Sequence, residues 1–347
     1  MKDIIIGNKK IGEKHPTFII AEAGSNHNRD LNLAKKLIEI AAVSEADAVK
    51  FQTYSAETMY SKKTVTPDYL EGKMEQKSVW QLIKDIELPR VWQGELADFS
   101  RSHGLIFLST PFDYRAIKEL EELKVLAYKI ASFEIVDLPF LKEIAKTKKP
   151  IILSTGMASL GDIEDAVNAI REIDDIDIAL LHCAINYPPP IEDLNLRVIK
   201  TLAKAFQVPV GFSDHTLSTY LPSVCVALGA SIIEKHYTVS RSLKGPDHKF
   251  ALEPAELKLM IKNIKETETA LGSPIKKITE SEKNLYKLAR RSIIAVKKIA
   301  AGKVIERSDL IIKRPGYGIP PKFLNIIIGR EARKDIDEDD IITWDMI

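Results

Sequence analysis

Only two cysteines occur in the 347 residues, Cys183 and Cys225, and both stand in apolar segments. A disulfide framework is therefore excluded, and a reducing, cytosolic setting is expected. No charge of one sign dominates either: 50 Lys and Arg against 49 Asp and Glu leave a net charge of +1. That balance argues against a general binder of nucleic acid or of an anionic membrane, while leaving room for a local basic pocket. Long hydrophobic runs are missing. The longest, such as Phe18-Ile-Ile-Ala21 and Ile151-Ile-Leu153, have strand length, so no bilayer span is predicted. The opening Met1-Lys-Asp-Ile-Ile-Ile6 carries an early charge pair and no cleavable apolar stretch. A Gly-rich dinucleotide fingerprint is also absent, which leaves a doubly wound open sheet without its usual support. What is present is 45% hydrophobic residues, enough for a sizeable core, in a length that suits one large domain and a small one.

Strand-like and helix-like segments alternate with regularity after a short hairpin, Asp3-Ile-Ile-Ile6, turn Gly7-Asn-Lys-Lys10, then Ile11. The strands fall at 17–23, 46–54, 105–111, 127–132, 150–156, 176–183, 208–213 and 231–237. Runs of aliphatic and β-branched residues suit a parallel sheet covered on its outer face. Amphipathic stretches such as 31–42, 116–123, 163–173 and 195–205 read as the intervening helices. Eight such repeats predict a (β/α)8 TIM barrel, which takes roughly 250 residues. The domains follow: 1–272 for the barrel with its hairpin, 273–289 as linker, and 290–347 as a small unit of short strands and tight turns. The last piece is near the size limit for independent folding and needs something to pack against. Ser55 to Val79, long and charged after the second strand, reads as a lid or a disordered excursion.

In a barrel of this kind the C-terminal strand ends open on one face, where chemistry sits. His215 in Gly211-Phe-Ser-Asp-His-Thr216 and His236 in Ile232-Ile-Glu-Lys-His-Tyr237 end consecutive strands. Either alone reads as an ordinary surface or core histidine. As a pair, with Asp214 and Glu234 beside them, they predict a shared divalent metal with positions open for water and substrate. Other strands end in Glu22, in Lys50 and Gln52, in Thr110, in Lys129 and Ser132, and in Ser154. A lysine in a buried strand is expensive without an anion. Lys50 and Lys129 thus imply a bound anion or carboxylate partners such as Glu22 or Glu134. Ser132, Ser154 and Ser213 add hydroxyl donors for phosphate or carboxylate, each charge-assisted contact contributing about 1.5–3 kcal/mol. The competing reading of each is a filler of the barrel layers. Three further segments carry no claim unaided: the Pro-constrained loop Asn186-Tyr187-Pro-Pro-Pro190, the loop Lys244-Gly-Pro-Asp247-His248, and Arg314 in a Gly/Pro-rich loop.

Taken together, these segments match a known pattern. Glu22-Ala-Gly-Ser-Asn-His27, Val49-Lys-Phe-Gln52, Ser109-Thr-Pro-Phe112, Tyr128-Lys129, Leu153-Ser-Thr-Gly-Met157, Ser213-Asp-His215, Glu234-Lys-His236, Gly245-Pro-Asp247 and Lys313-Arg-Pro-Gly316 stand in one order along the chain. The set resembles the sialic acid (N-acetylneuraminate) synthase family, with its legionaminate, pseudaminate and spore-coat polysaccharide relatives. The C-terminal piece is similar to that family's antifreeze-like (SAF) domain.

The resemblance implies condensation of phosphoenolpyruvate with an N-acyl amino-hexose to a nine-carbon 2-keto acid and phosphate, by C–O cleavage. It implies a divalent metal, Mn²⁺ with Mg²⁺ or Co²⁺ as alternatives, on His215 and His236, with Glu22 and Glu234 in the catalytic set. Lys50, Thr110, Lys129, Ser132, Ser154 and Ser213 would hold phosphoenolpyruvate. Gln52, Tyr187, Glu234 and Asp247 would contact the sugar. It further implies a domain-swapped homodimer in which Arg314 enters the partner's site.

Two departures stand out. Ala184-Ile185 replaces a small polar phosphate contact, which leaves either Asn186 as its substitute or the contact missing. The loop 55–79 offers no counterpart for a sugar-contacting asparagine. Leu181-His-Cys183 and Gly245-Pro-Asp-His248 resemble the neuraminate and legionaminate synthases. Ala131-Ser-Phe-Glu134 and Gly318-Ile-Pro-Pro-Lys-Phe323 resemble the pseudaminate and spore-coat relatives. Asp247 tilts the expectation to the first group. A barrel metallohydrolase is the alternative from another class, and it would need more metal ligands on the first strand than Glu22 supplies. An ice- or glycan-binding protein is a third reading, disfavoured by the basic, Arg-containing loop.

Overall fold

The computed structural model describes residues 2–64 and 78–347. Eight parallel strands form one sheet: β1 (Phe18–Glu22), β2 (Ala48–Thr53), β3 (Ile106–Pro111), β4 (Tyr128–Ile130), β5 (Ile151–Ser154), β6 (Ile178–Cys183), β7 (Val210–Asp214) and β8 (Ile232–His236). Their order is β3-β2-β1-β8-β7-β6-β5-β4, so the first and last strands of the barrel pair and the sheet curls toward closure. Only the β3/β4 seam lacks a hydrogen-bonded ladder, and β4 is three residues long. The helices follow in turn: α1 (Leu31–Val43), α2 (Gln93–Ser102), α3 (Tyr114–Glu122), α4 (Leu138–Ala145), α5 (Leu160–Arg171), α6 (Val198–Phe206), α7 (Leu221–Ala227) and α8 (Pro254–Leu271). The predicted TIM-barrel class is what the chain adopts.

Side-chain alternation explains the arrangement. Residues at every second position face the barrel interior. Near the strand starts these are Phe18, Ile20, Ala48, Ile106, Leu108, Ala127, Ile152, Ala179, Leu181 and Ile232. The hairpin strands Ile4–Ile6 and Lys9–Ile11 add Ile4, Ile6 and Ile11 to the same cluster and plug that end. The alternate positions, including Ile19, Val49, Phe51, Phe107, Leu153, Leu180, Phe212 and Ile233, pack under the helices. At Gly211 a Cβ would stand 2.3 Å from the Ile232 carbonyl and 2.6 Å from Leu181 Cδ2, so only glycine fits that inward position.

Local signals shift several predicted boundaries. Asp113 accepts a hydrogen bond from the Ala116 amide and starts α3 at Tyr114, earlier than residue 116. Ser159 and Asp162 form a capping box, so α5 begins at Leu160. Such caps each contribute about 1 kcal/mol. Conversely, Ile191–Leu194 form a 3₁₀ turn and Asn195 takes a left-handed conformation, so α6 begins at Val198 rather than 195. The predicted lid 55–79 is bounded by two helices, Ala56–Met59 and Val79–Ile86, and its positions 65–77 lie outside the described residues. No helix among the described residues is long and apolar enough to cross a membrane.

Contacts divide the chain into two compact units, Met1–Gly272 and Ser273–Ile347. In the second, a solvent-exposed helix, Lys283–Ala289, precedes an antiparallel pair, β9 (Ser292–Ala295) and β10 (Leu310–Lys313). Its core is built from Ile293, Ile299, Ile305, Leu310, Ile319, Ile327, Ile336 and Ile342.

Candidate active site

The inward alternation that starts with apolar residues ends in polar ones. Phe18 and Ile20 lead to Glu22, Ala48 to Lys50 and Gln52, Ile106 and Leu108 to Thr110, Ala127 to Lys129, Ile152 to Ser154, Gly211 to Ser213 and His215, and Ile232 to Glu234 and His236. All but Gln52 are buried at the C-terminal strand ends.

Four charges form the centre. Lys50 Nζ stands 2.8 Å from Glu22 Oε2, 3.9 Å from Glu234 Oε1, and donates to Thr110 Oγ1 at 3.1 Å. Lys129 Nζ stands 3.5 Å from Glu234 Oε1 and donates to Ile130 O at 3.2 Å. The Lys129 partner is thus Glu234, not the Glu134 considered from sequence, which follows on a 3₁₀ turn, Ser132–Val136. Glu22 Oε1 accepts from Gln52 Nε2 at 2.7 Å, and Glu234 Oε1 accepts from Ser213 Oγ at 3.2 Å. Burial pushes the Glu22 carboxyl up to about 7 against the pull of Lys50. Burial acts likewise on Glu234, but Lys129 and Lys50 outweigh it and hold that carboxyl below its ordinary value. For Lys50 the desolvation of the ammonium is outweighed by Glu22 and Glu234, whereas burial lowers Lys129. One carboxyl of the set is therefore poised to exchange a proton near neutral pH.

Hydroxyls surround the lysines. Ser132 Oγ accepts the Gly156 amide at 2.9 Å, and the buried Ser154 Oγ has no partner. An unpartnered buried hydroxyl is costly unless a ligand completes it. A Cβ at Gly156 would meet Ile185 Cγ1 at 2.5 Å, so the Ile185 side chain lies across this corner. Asn186 is exposed, and its Oδ1 accepts from the Tyr187 amide at 3.0 Å.

The two imidazoles lie 5.3 Å apart, centroid to centroid. His215 Nδ1 donates to Ala184 O at 3.1 Å, which leaves Nε2 with its lone pair. His236 Nδ1 is buried without a hydrogen-bond partner. Burial holds both rings in the neutral form that ligates metals. Among the described residues no group of three or more His, Cys, Asp or Glu is placed to hold an ion. The observation that fits a metal is the orphaned, buried His236 Nδ1 beside the His215 ring; two imidazoles would make an open site and not a closed structural one.

Asp247 reaches the same place. Its Oδ2 lies 4.0 Å from His236 Nδ1 and accepts from the Ser25 amide at 3.1 Å and Ser25 Oγ at 2.9 Å. Gly24, at φ +52, leaves room there, since a Cβ would meet Asp247 Oδ2 at 2.7 Å. Tyr187 lies 4.4 Å from the His215 ring and 5.0 Å from Phe250, which in turn is 5.1 Å from His236. Arg314 belongs to the second unit, where its Nε donates to Ala289 O at 2.7 Å.

Three contributors escaped the sequence reading. Ser25 fixes Asp247, Phe250 walls His236 and Tyr187, and Cys183 Sγ lies 3.8 Å from His215 Nδ1. Cys183 has the inward parity of Leu181 and was legible on that basis; Ser25 and Phe250 come from loops and carried no periodic signal.

Comparison with known proteins gives the family. Residues 37–276 match the NeuB family and residues 290–347 the SAF domain. The chain is 44% identical to an N,N'-diacetyllegionaminic acid synthase of Campylobacter jejuni, over 94% of this chain and 98% of that one. It is 40% identical to an N,N'-diacetyllegionaminic acid synthase of Legionella pneumophila, over 99% and 98%. The crystal structure of a spore coat polysaccharide biosynthesis protein from Bacillus subtilis superposes with a TM-score of 0.69 at 38% identity, covering 100% of this chain and 99% of that one. The chain belongs to the NeuB family of sialic acid synthases, enzymes that form a carbon–carbon bond from phosphoenolpyruvate.

Proposed function

We propose that the enzyme condenses phosphoenolpyruvate with a diacetamido-trideoxy-hexose to give N,N'-diacetyllegionaminic acid and phosphate. The substrate rests on the two legionaminic acid synthases that match nearly the whole chain. The observation that carries the chemistry is the buried Lys50–Glu22–Glu234–Lys129 set beside two neutral imidazoles.

In this reading Lys50 and Lys129 bind the substrate carboxylate and phosphate, and Thr110, Ser132, Ser154 and Ser213 supply hydroxyl donors. These groups are fixed on strands, so they need little reorganisation as charge moves. The enol carbon C3 attacks the open-chain aldehyde and forms the new C–C bond. Water captures the cationic C2, and the C2–O bond to phosphate then breaks with the electron pair leaving on phosphate. Glu22 moves a proton between the aldehyde oxygen and the incoming water. Gln52 and Tyr187 orient the sugar with Asp247, which Ser25 holds in place. His215 and His236 would hold a divalent ion, Mn²⁺ with Mg²⁺ or Co²⁺ as substitutes, which when bound polarises the aldehyde. The working unit is a homodimer in which Arg314 completes the site of the neighbouring subunit.

The test is incubation with Mn²⁺, phosphoenolpyruvate and, in parallel, N-acetylmannosamine and the diacetamido-trideoxy-hexose precursors of legionaminate and pseudaminate. Phosphate and a nine-carbon keto acid are expected from the legionaminate precursor. Turnover of another of the three instead would move the substrate assignment, and silence with all of them would overturn the reading.

A further inference from the structure

β7 and β8 carry a second pair of residues behind the two histidines. The alternation that sends Ser213, His215, Glu234 and His236 inward sends Asp214 and Lys235 outward, into the layer beneath the helices. There the other outward residues of these strands, Val210, Phe212 and Ile233, are apolar. Asp214 and Lys235 face each other in register, and both side chains are 0% exposed.

Their hydrogen bonds converge on one backbone segment. Lys235 Nζ donates to Asp214 Oδ2 at 2.6 Å and to Thr216 O at 2.5 Å. Asp214 Oδ1 accepts the Thr216 amide at 2.8 Å, and its Oδ2 accepts from Thr216 Oγ1 at 3.3 Å. Lys235, which immediately precedes His236, is thereby tied to the residues on both sides of His215. The β7/β8 register pairs run Ile233 with Phe212, Glu234 with Ser213, and Lys235 with Asp214, and end there. Both histidines thus stand one residue past the last β7/β8 pair, His236 still being paired with Glu22 of β1, and the side-chain knot continues the β7/β8 connection where that ladder stops.

A buried ion pair adds little net stability over apolar packing of the same shape, so stability does not account for this one. We infer that the Lys235–Asp214–Thr216 knot is a positioning device that fixes the two imidazoles relative to each other and so presets a two-nitrogen site for a divalent ion. This inference rests on the proposed role of His215 and His236 as the metal pair. Asp214 and Lys235 themselves lie on the opposite face of the strands from the site.

Co²⁺ titration of the full-length protein tests it, read by calorimetric affinity and by the visible absorption of the bound ion. The variant Asp214→Asn with Lys235→Met removes both charges at nearly constant shape, and the Asn keeps an acceptor for the Thr216 amide. It is expected to melt close to wild type yet bind Co²⁺ about 10–100-fold more weakly, with an altered absorption band. Affinity and spectrum equal to wild type in the folded double variant would overturn the knot while leaving the metal pair intact. If the double variant does not fold, Thr216→Val carries the test, because it keeps the Asp214–Lys235 pair and removes only the hydroxyl that donates to Asp214 Oδ2. It is expected to weaken Co²⁺ binding about threefold, less than loss of a whole outer partner; no change would overturn the inference. Failure of the underlying reading looks different. Wild type, His215→Ala and His236→Ala would then all bind Co²⁺ equally or not at all, and the inference would fall with it.

Discussion

Replacing Lys50 by Met removes the ammonium 2.8 Å from Glu22 and 3.9 Å from Glu234 while keeping most of its stem. Breaking one side of a buried ion pair costs about 3–5 kcal/mol when the stranded charge has no way out. Glu22 has one, because its carboxyl already sits at about 7 and can take a proton near neutrality. The penalty should therefore appear as a pH slope. The unfolded Glu22 titrates near 4.5, so between that value and the folded one the native state holds the extra proton. Stability then falls as pH rises, by about 1.4 kcal/mol per pH unit. In the wild type the fall ends near pH 7, where the folded carboxyl has ionised. In Lys50→Met it continues upward, since the charge that favoured ionisation is gone. The stability gap between variant and wild type should widen by about 1–1.5 kcal/mol from pH 7 to pH 8. That is roughly 2–6 °C in Tm for a unit of this size. Adding Glu22→Gln should remove the widening. Urea denaturation at pH 6, 7 and 8 on all three proteins measures it. A gap independent of pH, or a double variant with the slope of the single one, refutes the pairing of Lys50 with Glu22.

The same four charges predict proton uptake on ligand binding: phosphoenolpyruvate draws Lys50 away from Glu22 and adds negative charge beside it, so binding above pH 7 should raise the carboxyl further. Calorimetry in buffers of different ionisation enthalpy should show a fraction of a proton taken up, and none at all would remove Glu22 from the anion site. If Arg314 serves the neighbouring subunit, His236→Ala and Arg314→Ala should each abolish or cripple turnover alone, while re-associated mixtures regain about a quarter of wild-type sites. No recovery on mixing would exclude the composite site. In the second unit, the buried Asp309 is paired with Lys303 at 2.8 Å and Lys297 at 3.0 Å. Burial opposes its ionisation, but Lys303, the Glu306 amide and Lys297 hold it down to about 2. Its stabilisation is present above the unfolded value of 3.8 and lost as pH falls toward 2, so Asp309→Asn should lower amide protection across 290–347 at pH 7 but not at pH 2.

The barrel was legible because alternation and repetition agree: most strands read apolar at their start and polar at their end, and eight such units leave few other closures. Pairings across the barrel were harder to read. Lys129 finds Glu234, a residue of β8, because both point inward at the same level, whereas Glu134 makes no ion pair with it although Lys129 still acts on that carboxyl through space. The lengths of strands and helices moved where caps decided them, as at Asp113 and Asn195, and caps act through one or two side chains with no periodicity. Ser25 and Phe250 reach the site from loops, where neither period operates.

One signal was present and carries further than the strand count. In a strand buried on both faces, a run such as Ser213-Asp-His215 or Glu234-Lys-His236 cannot be a single polar face, because neighbours alternate sides. The middle residue of each run must point into the apolar layer under the helices. A charge there is tolerated only beside an opposite one, and the nearest position able to supply it is the in-register residue of the adjacent strand. Asp214 and Lys235 meet that requirement at 2.6 Å. Two consecutive strands with three polar residues at their ends therefore specify two layers at once, an inward layer that offers imidazoles and an outward ion pair that locks the strands carrying them.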